Sequence, residues 1–65
     1  MPAALYPSVN DTSENVLWYK IAYDLFIWAQ DNGITGLNPP YVGEQAFSLK
    51  KKAAYYAAAL EEVLV

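Results

Sequence analysis

Between residues 13 and 31 the strongly polar positions return at steps of four and seven: Ser13, Lys20, Asp24 and Asp31. At about 100° per residue they fall on one line, and Lys20 and Asp24 make an i, i+4 pair. Trp18, Tyr19, Ala22, Leu25, Phe26 and Ala29 lie opposite that line, while Val16, Leu17, Ile21, Tyr23, Ile27 and Trp28 crowd its flanks. The pattern predicts a helix over residues 12–32. Its aromatic and β-branched content would also suit a strand, but the period and the end signals favour the helix. Asp11 is placed to cap it and Glu14, three residues on, to close a capping box, with Ser13 as a rival cap. Gly33, in "DNG", supplies the left-handed residue that ends it. The polar line is narrow. A helix that is apolar on nearly every side is a buried one, so this segment needs cover on more than one face.

A second helix, over residues 44–64, follows from a run rich in Ala, Leu, Lys and Glu. Leu49, Ala53, Tyr56, Leu60 and either Val63 or Leu64 form its apolar stripe, and its alanines allow a facing helix to come close. Its start falls near Glu44 or at Ser48 as N-cap. Lys50, Lys51 and Lys52 stand early and Glu61 and Glu62 late, against the helix dipole. These charges are either solvated or, for the lysines, paired with acidic groups of a neighbouring subunit. Residues 33–43, "GITGLNPPYVG", form a connector in which Asn38 is held extended before Pro39 and Pro40. It is not a PPxY or PxxP ligand, but Leu37, Pro39, Pro40 and Tyr41 make a stiff apolar corner suited to docking. Residues 1–11, with Pro2 and Pro7, read as an extended arm carrying Leu5, Tyr6 and Val9, or as a frayed terminus.

The predicted fold is all-α: one small domain over residues 1–65, a two-helix αα-hairpin with an extended N-terminal arm and a Pro-containing connector. One interface between two helices hides only part of the first helix, so oligomerisation or a partner completes the fold. The competing expectation is a compact monomer in which arm and connector fold back. Trp18, Leu25, Phe26, Leu49, Tyr56 and Leu60 are assigned to the intramolecular core. Tyr6, Tyr23, Ile27, Trp28, Leu37, Pro40 and Tyr41 are assigned to partner contacts.

Composition narrows the possible chemistry. A chain of 65 residues without Cys or His has neither disulfides nor the usual zinc ligands to staple a small core. Its four basic residues are all Lys, and with a net charge of −3 it is poorly suited to nucleic acid or anionic membranes. No apolar stretch approaches the ~20 residues of a membrane span, and the start lacks the basic and apolar regions of a signal peptide. The formal glycosylation sequon at Asn10 is then without use. Nucleophile–base pairs cannot be assembled without His or Cys, "GITGLNPP" lacks the Lys of a phosphate loop, and the carboxylates are scattered. The sequence therefore predicts no enzyme, no catalytic residues, no metal and no cofactor.

The succession "SENVLWYKIAYDLFIWA", "NPP" and "KKKAAYYAAAL", over roughly residues 13–60, resembles short helical proteins of tailed-bacteriophage virions. In those, an apolar arm and helical hairpin pack between larger structural proteins. The resemblance implies a minor capsid, neck or tail component without catalytic residues. It implies assembly in a bacterial cytoplasm, with second copies, larger virion proteins or both as partners. The alternative is a small acidic regulatory module, cytoplasmic, acting on one host or phage protein. Stoichiometry separates the two.

Overall fold

A computed structural model describes residues 12–65. The arm, including Tyr6 and the Asp11 cap expected from the sequence, lies outside the described residues. Two helices are present among them, α1 (Ser13–Asp31) and α2 (Ala46–Leu64), an all-α helical pair joined by the Pro-containing connector. Thr12 caps α1, its extended backbone at ψ 155° and its Oγ1 accepting from the Asn15 N–H at 3.1 Å. The cap thus stands between the two positions expected, and the residue three on is Asn15. Glu14 instead forms an ion pair with Lys50 at 3.0 Å. The other end of α1 follows expectation: Gly33 has φ 84°. Its N–H donates to the Gln30 carbonyl at 3.0 Å and the Ile34 N–H to that of Ala29 at 3.1 Å, the two bonds of a Schellman motif.

Helix α2 starts two residues past Glu44, and Ser48 lies inside it. Gln45 occupies the N-cap position without a side-chain capping bond. The first N–H of α2 is satisfied from across the fold, Ala46 N–H donating to Asn15 Oδ1 at 2.7 Å.

The contacts between the helices ascend together. Asn15 meets Gln45 and Ala46, Glu14 and Trp18 meet Lys50, and Phe26 meets Tyr56. The two helices therefore run in the same direction, and residues 32–45 must return the length of α1. At roughly 3.3 Å per extended residue the connector easily spans a 19-residue helix of roughly 28 Å. It returns along α2: the Asn38 carbonyl accepts from the Tyr56 hydroxyl, the Pro39 carbonyl from Lys52 Nζ at 3.2 Å, and the Glu44 carboxylate from Ser48 Oγ at 2.6 Å.

Between these three walls Tyr19, Ala22 and Phe26 of α1 pack on Leu49, Ala53 and Tyr56 of α2, with Leu37 of the connector against them. Ala22 and Ala53 keep the helices close where the Phe26 and Tyr56 rings, 5.6 Å apart and tilted by 57°, fill the remainder. Of the core expected from sequence, Phe26, Leu49, Tyr56 and Leu60 are buried. Trp18 and Leu25 are half-buried and pack on that core. Val63 and Leu64 are exposed, so the α2 stripe ends at Leu60.

Candidate interaction surface

The charged groups nearest the core are committed to each other. Glu44 is buried where Gly43, at φ 92°, turns the chain into α2. Its carboxylate accepts from the Tyr41 N–H at 3.1 Å, Ser48 Oγ and Lys52 Nζ at 2.9 Å. Burial pushes its pKa up, but the hydrogen bonds from Ser48, Lys52 and Tyr41 and the Lys52 charge outweigh it, leaving the carboxyl below its ordinary 4.5. Two of the three lysines pair within the chain, Lys50 with Glu14 and Lys52 with Glu44, while Lys51 is exposed with its Nζ 4.4 Å from the centre of the Phe47 ring. Lys20 and Asp24 take part in neither ion pair of the described residues. Lys placed before its acid is the poorer orientation of an i, i+4 pair.

Tyr56 closes this polar seam. Burial of its ring, and secondarily the Glu44 charge, push its pKa up to about 12 from 10.0. The neutral hydroxyl is the native form, so its contribution is complete below pH 10 and is lost as pH rises toward 12. A shift of this size is worth about 2–3 kcal/mol. Tyr56→Phe is expected to cost about 1–2 kcal/mol at neutral pH and to lack this alkaline loss. Urea unfolding of both chains from pH 8 upward checks it; parallel curves reject it.

Among the described residues no buried side-chain nitrogen or oxygen lacks a partner. No group of three or more acidic side chains there can hold a metal ion, and no helix is long and apolar enough to cross a membrane. An open cleft of about 370 Å³ is lined by Asn38 of the connector and Lys51, Lys52, Tyr55 and Tyr56 of α2. The feature left without cover is apolar.

On α1, Tyr19, Ala22, Phe26 and Ala29 face inward. Leu17 and Trp28, eleven residues apart and so on nearly the same angle, stand on the opposite side at 55% and 51% exposure. Ile27 is also exposed, on the other flank of the polar line. The polar line of Lys20, Asp24 and Asp31 runs between these side chains, all three exposed. Of the other expected partner contacts, Tyr23 is half-buried and stacks on Tyr19 with ring centroids 5.9 Å apart. Leu37 packs on the core cluster and Pro40 is buried by its own chain. Both residues are thus turned toward their own chain, where the connector is a wall of the core, Leu37 remaining half-exposed. Tyr41 is exposed, with Lys52 Nζ 4.9 Å from the centre of its ring. Sequence reasoning missed Leu17, Val42, Phe47 and Tyr55, all exposed. The eleven-residue spacing to Trp28 was the available signal for Leu17, while Phe47 and Tyr55 lie off the α2 stripe. No known protein family, curated protein or solved structure matches this chain.

Proposed function

We propose that the chain is a non-enzymatic assembly protein that packs the outward side of α1 against neighbouring subunits, as a minor capsid, neck or tail component of a bacteriophage particle. The observation that carries the reading is the position of Leu17 and Trp28, exposed together on the side of α1 that faces away from its filled core. Single exposed apolar residues are ordinary on a protein surface. Two large ones on one line of one helix, about three turns apart and with Ile27 across the polar line, are placed as separate apolar anchors of one contact. Full burial of such side chains is worth about 1.5–3 kcal/mol each. The place in a virion is supported by the resemblance of "SENVLWYKIAYDLFIWA", "NPP" and "KKKAAYYAAAL". The partners are second copies, larger virion proteins or both, without nucleic acid or membrane.

Sedimentation equilibrium with far-UV circular dichroism tests the contact. The wild-type chain is expected as a helical species of defined mass above 7.2 kDa. Trp28→Ala should raise the dissociation constant by about tenfold or more with helicity unchanged; a collapse of helicity would place Trp28 in the core instead. Quantitative mass spectrometry of density-purified particles from cells producing the protein tests the placement. Fixed copy number supports it. A chain that stays monomeric and is missing from particles overturns the reading, and a one-to-one complex with one soluble protein is the result a regulatory module gives.

A further inference from the structure

We propose that α1 pairs with α1 of a second copy, antiparallel, about a two-fold axis at the level of Ala22; this rests on the assembly reading and names its partner. The outward side of α1 is palindromic about that level. At about 1.5 Å per residue, positions 20 and 24 lie about 3 Å to either side, positions 17 and 28 about 8–9 Å, and positions 13 and 31 about 13–14 Å. Two such helices side by side in opposite directions bring Leu17 against Trp28, Lys20 against Asp24 and Asp31 against Ser13 of the second copy. In a two-fold contact every pair occurs twice. All six positions are exposed, and Ala22, at 0% exposure, points to the opposite side of the helix.

Charge decides the direction. A parallel pair in register would set Lys20 beside Lys20 and Asp24 beside Asp24, whereas the antiparallel pair sets each beside its opposite. The long Lys20 side chain spans the sideways offset between the two positions. Asp31 adds a second argument. It stands at the C-terminal end of α1, where no basic residue faces the dipole and an acid is disfavoured. Antiparallel pairing lays it over the first turn of the partner helix, where an acid is favoured. Leu17 against Trp28 then gives the apolar contact at both ends of the charged centre.

Four full-length chains test this by sedimentation velocity at low salt, with circular dichroism as the folding control: wild type, Lys20→Asp, Asp24→Lys and the double exchange. Either single reversal puts two like-charge pairs into the contact and is expected to weaken self-association about tenfold or more. An equimolar mixture of the two single variants restores opposite pairs and is expected to form a mixed dimer as tight as the wild type. The double exchange should pair with itself, and high salt should narrow all the differences. Wild-type association that does not respond to the reversals, or a mixture without a preferred mixed dimer, overturns the pairing and leaves the assembly reading standing. A wild-type chain that stays monomeric overturns the pairing too, and its presence in or absence from purified particles then decides the wider reading separately.

Discussion

Replacing Glu44 by Ala is expected to lower the unfolding free energy by about 3–5 kcal/mol, the range for breaking a buried ion pair from one side. The side chain of Glu44 has 0% exposure against 26% for that of Lys52. Truncation therefore removes the acceptor of the part-buried Tyr41 N–H and Ser48 hydroxyl, while Lys52 keeps some water and the Pro39 carbonyl. That relief places the loss at the lower end of the range. Glu44→Gln keeps the size and a neutral acceptor and should cost about 1–2 kcal/mol. The Gln variant also isolates the charge. Because the carboxyl pKa is held below 4.5 in the fold, its contribution is present above pH 4.5 and is lost as pH falls through the native value. Urea unfolding of wild type and Glu44→Gln from pH 7 down to about pH 3 should show the gap between them closing on the acid side. A constant gap would mean that the charge contributes nothing.

Both helices were legible because their signals are local properties of a segment: a repeated polar position and a Gly end signal for α1, and a run rich in Ala, Leu, Lys and Glu for α2. Direction was not legible. Periodicity says which side of α1 is apolar, but it does not say which elements lie on that side. A parallel helix and a returning connector satisfy Tyr19, Ala22 and Phe26 as well as any other pair of walls. The connector shows the same limit: Pro39 and Pro40 were read as stiff, and the segment they stiffen turns toward its own α2, taking Leu37 and Pro40 with it. The ion pairs were hidden by distance along the chain. Lys50 finds Glu14 far back in α1. Lys52 finds Glu44 eight residues earlier, a spacing that a continuous helix would not bring together and that the turn closed by Glu44 N–H on the Tyr41 carbonyl does. The surface was half legible. The flanks of the polar line put Ile27 and Trp28 outside, and Leu17 shares that side with Trp28.

The fold spends its apolar side chains unevenly, and this is what leaves a surface to explain. The connector covers a side of the core that the two helices alone leave open, so the inward half of α1 needs no partner. The outward half gets no such cover from residues 12–65. Its exposed Leu17, Ile27 and Trp28 alternate with charges of both signs, which favours a contact read by register over indiscriminate adhesion.

Asn15→Ala is expected to cost about 2–3 kcal/mol, because it removes the acceptor for a buried N–H that α2 does not satisfy by itself. An asparagine in the first turn of an apolar helix is a poor helix former, yet it is only 5% exposed. Its Oδ1 holds the Ala46 N–H at 2.7 Å and its Nδ2 donates to Gln45 Oε1 at 3.4 Å. One side chain of α1 thus does for α2 what an N-cap residue ordinarily does from within its own helix. It also fixes the register at which the parallel helices begin, since a slip of one residue would move the amide off the first N–H. Asn15→Asp keeps an acceptor at the N-terminus of α2, where negative charge is favoured, and should retain most of the stability. Asn15→Leu should be no better than Ala, although it restores the volume. Urea unfolding ranks the three, and hydrogen exchange at Ala46 locates the damage: its protection should fall sharply in the Ala and Leu chains and hold in the Asp chain. If Ala46 stays protected in Asn15→Ala, the start of α2 is held by its own packing, and the register must be set by Phe26 against Tyr56 and the core between them.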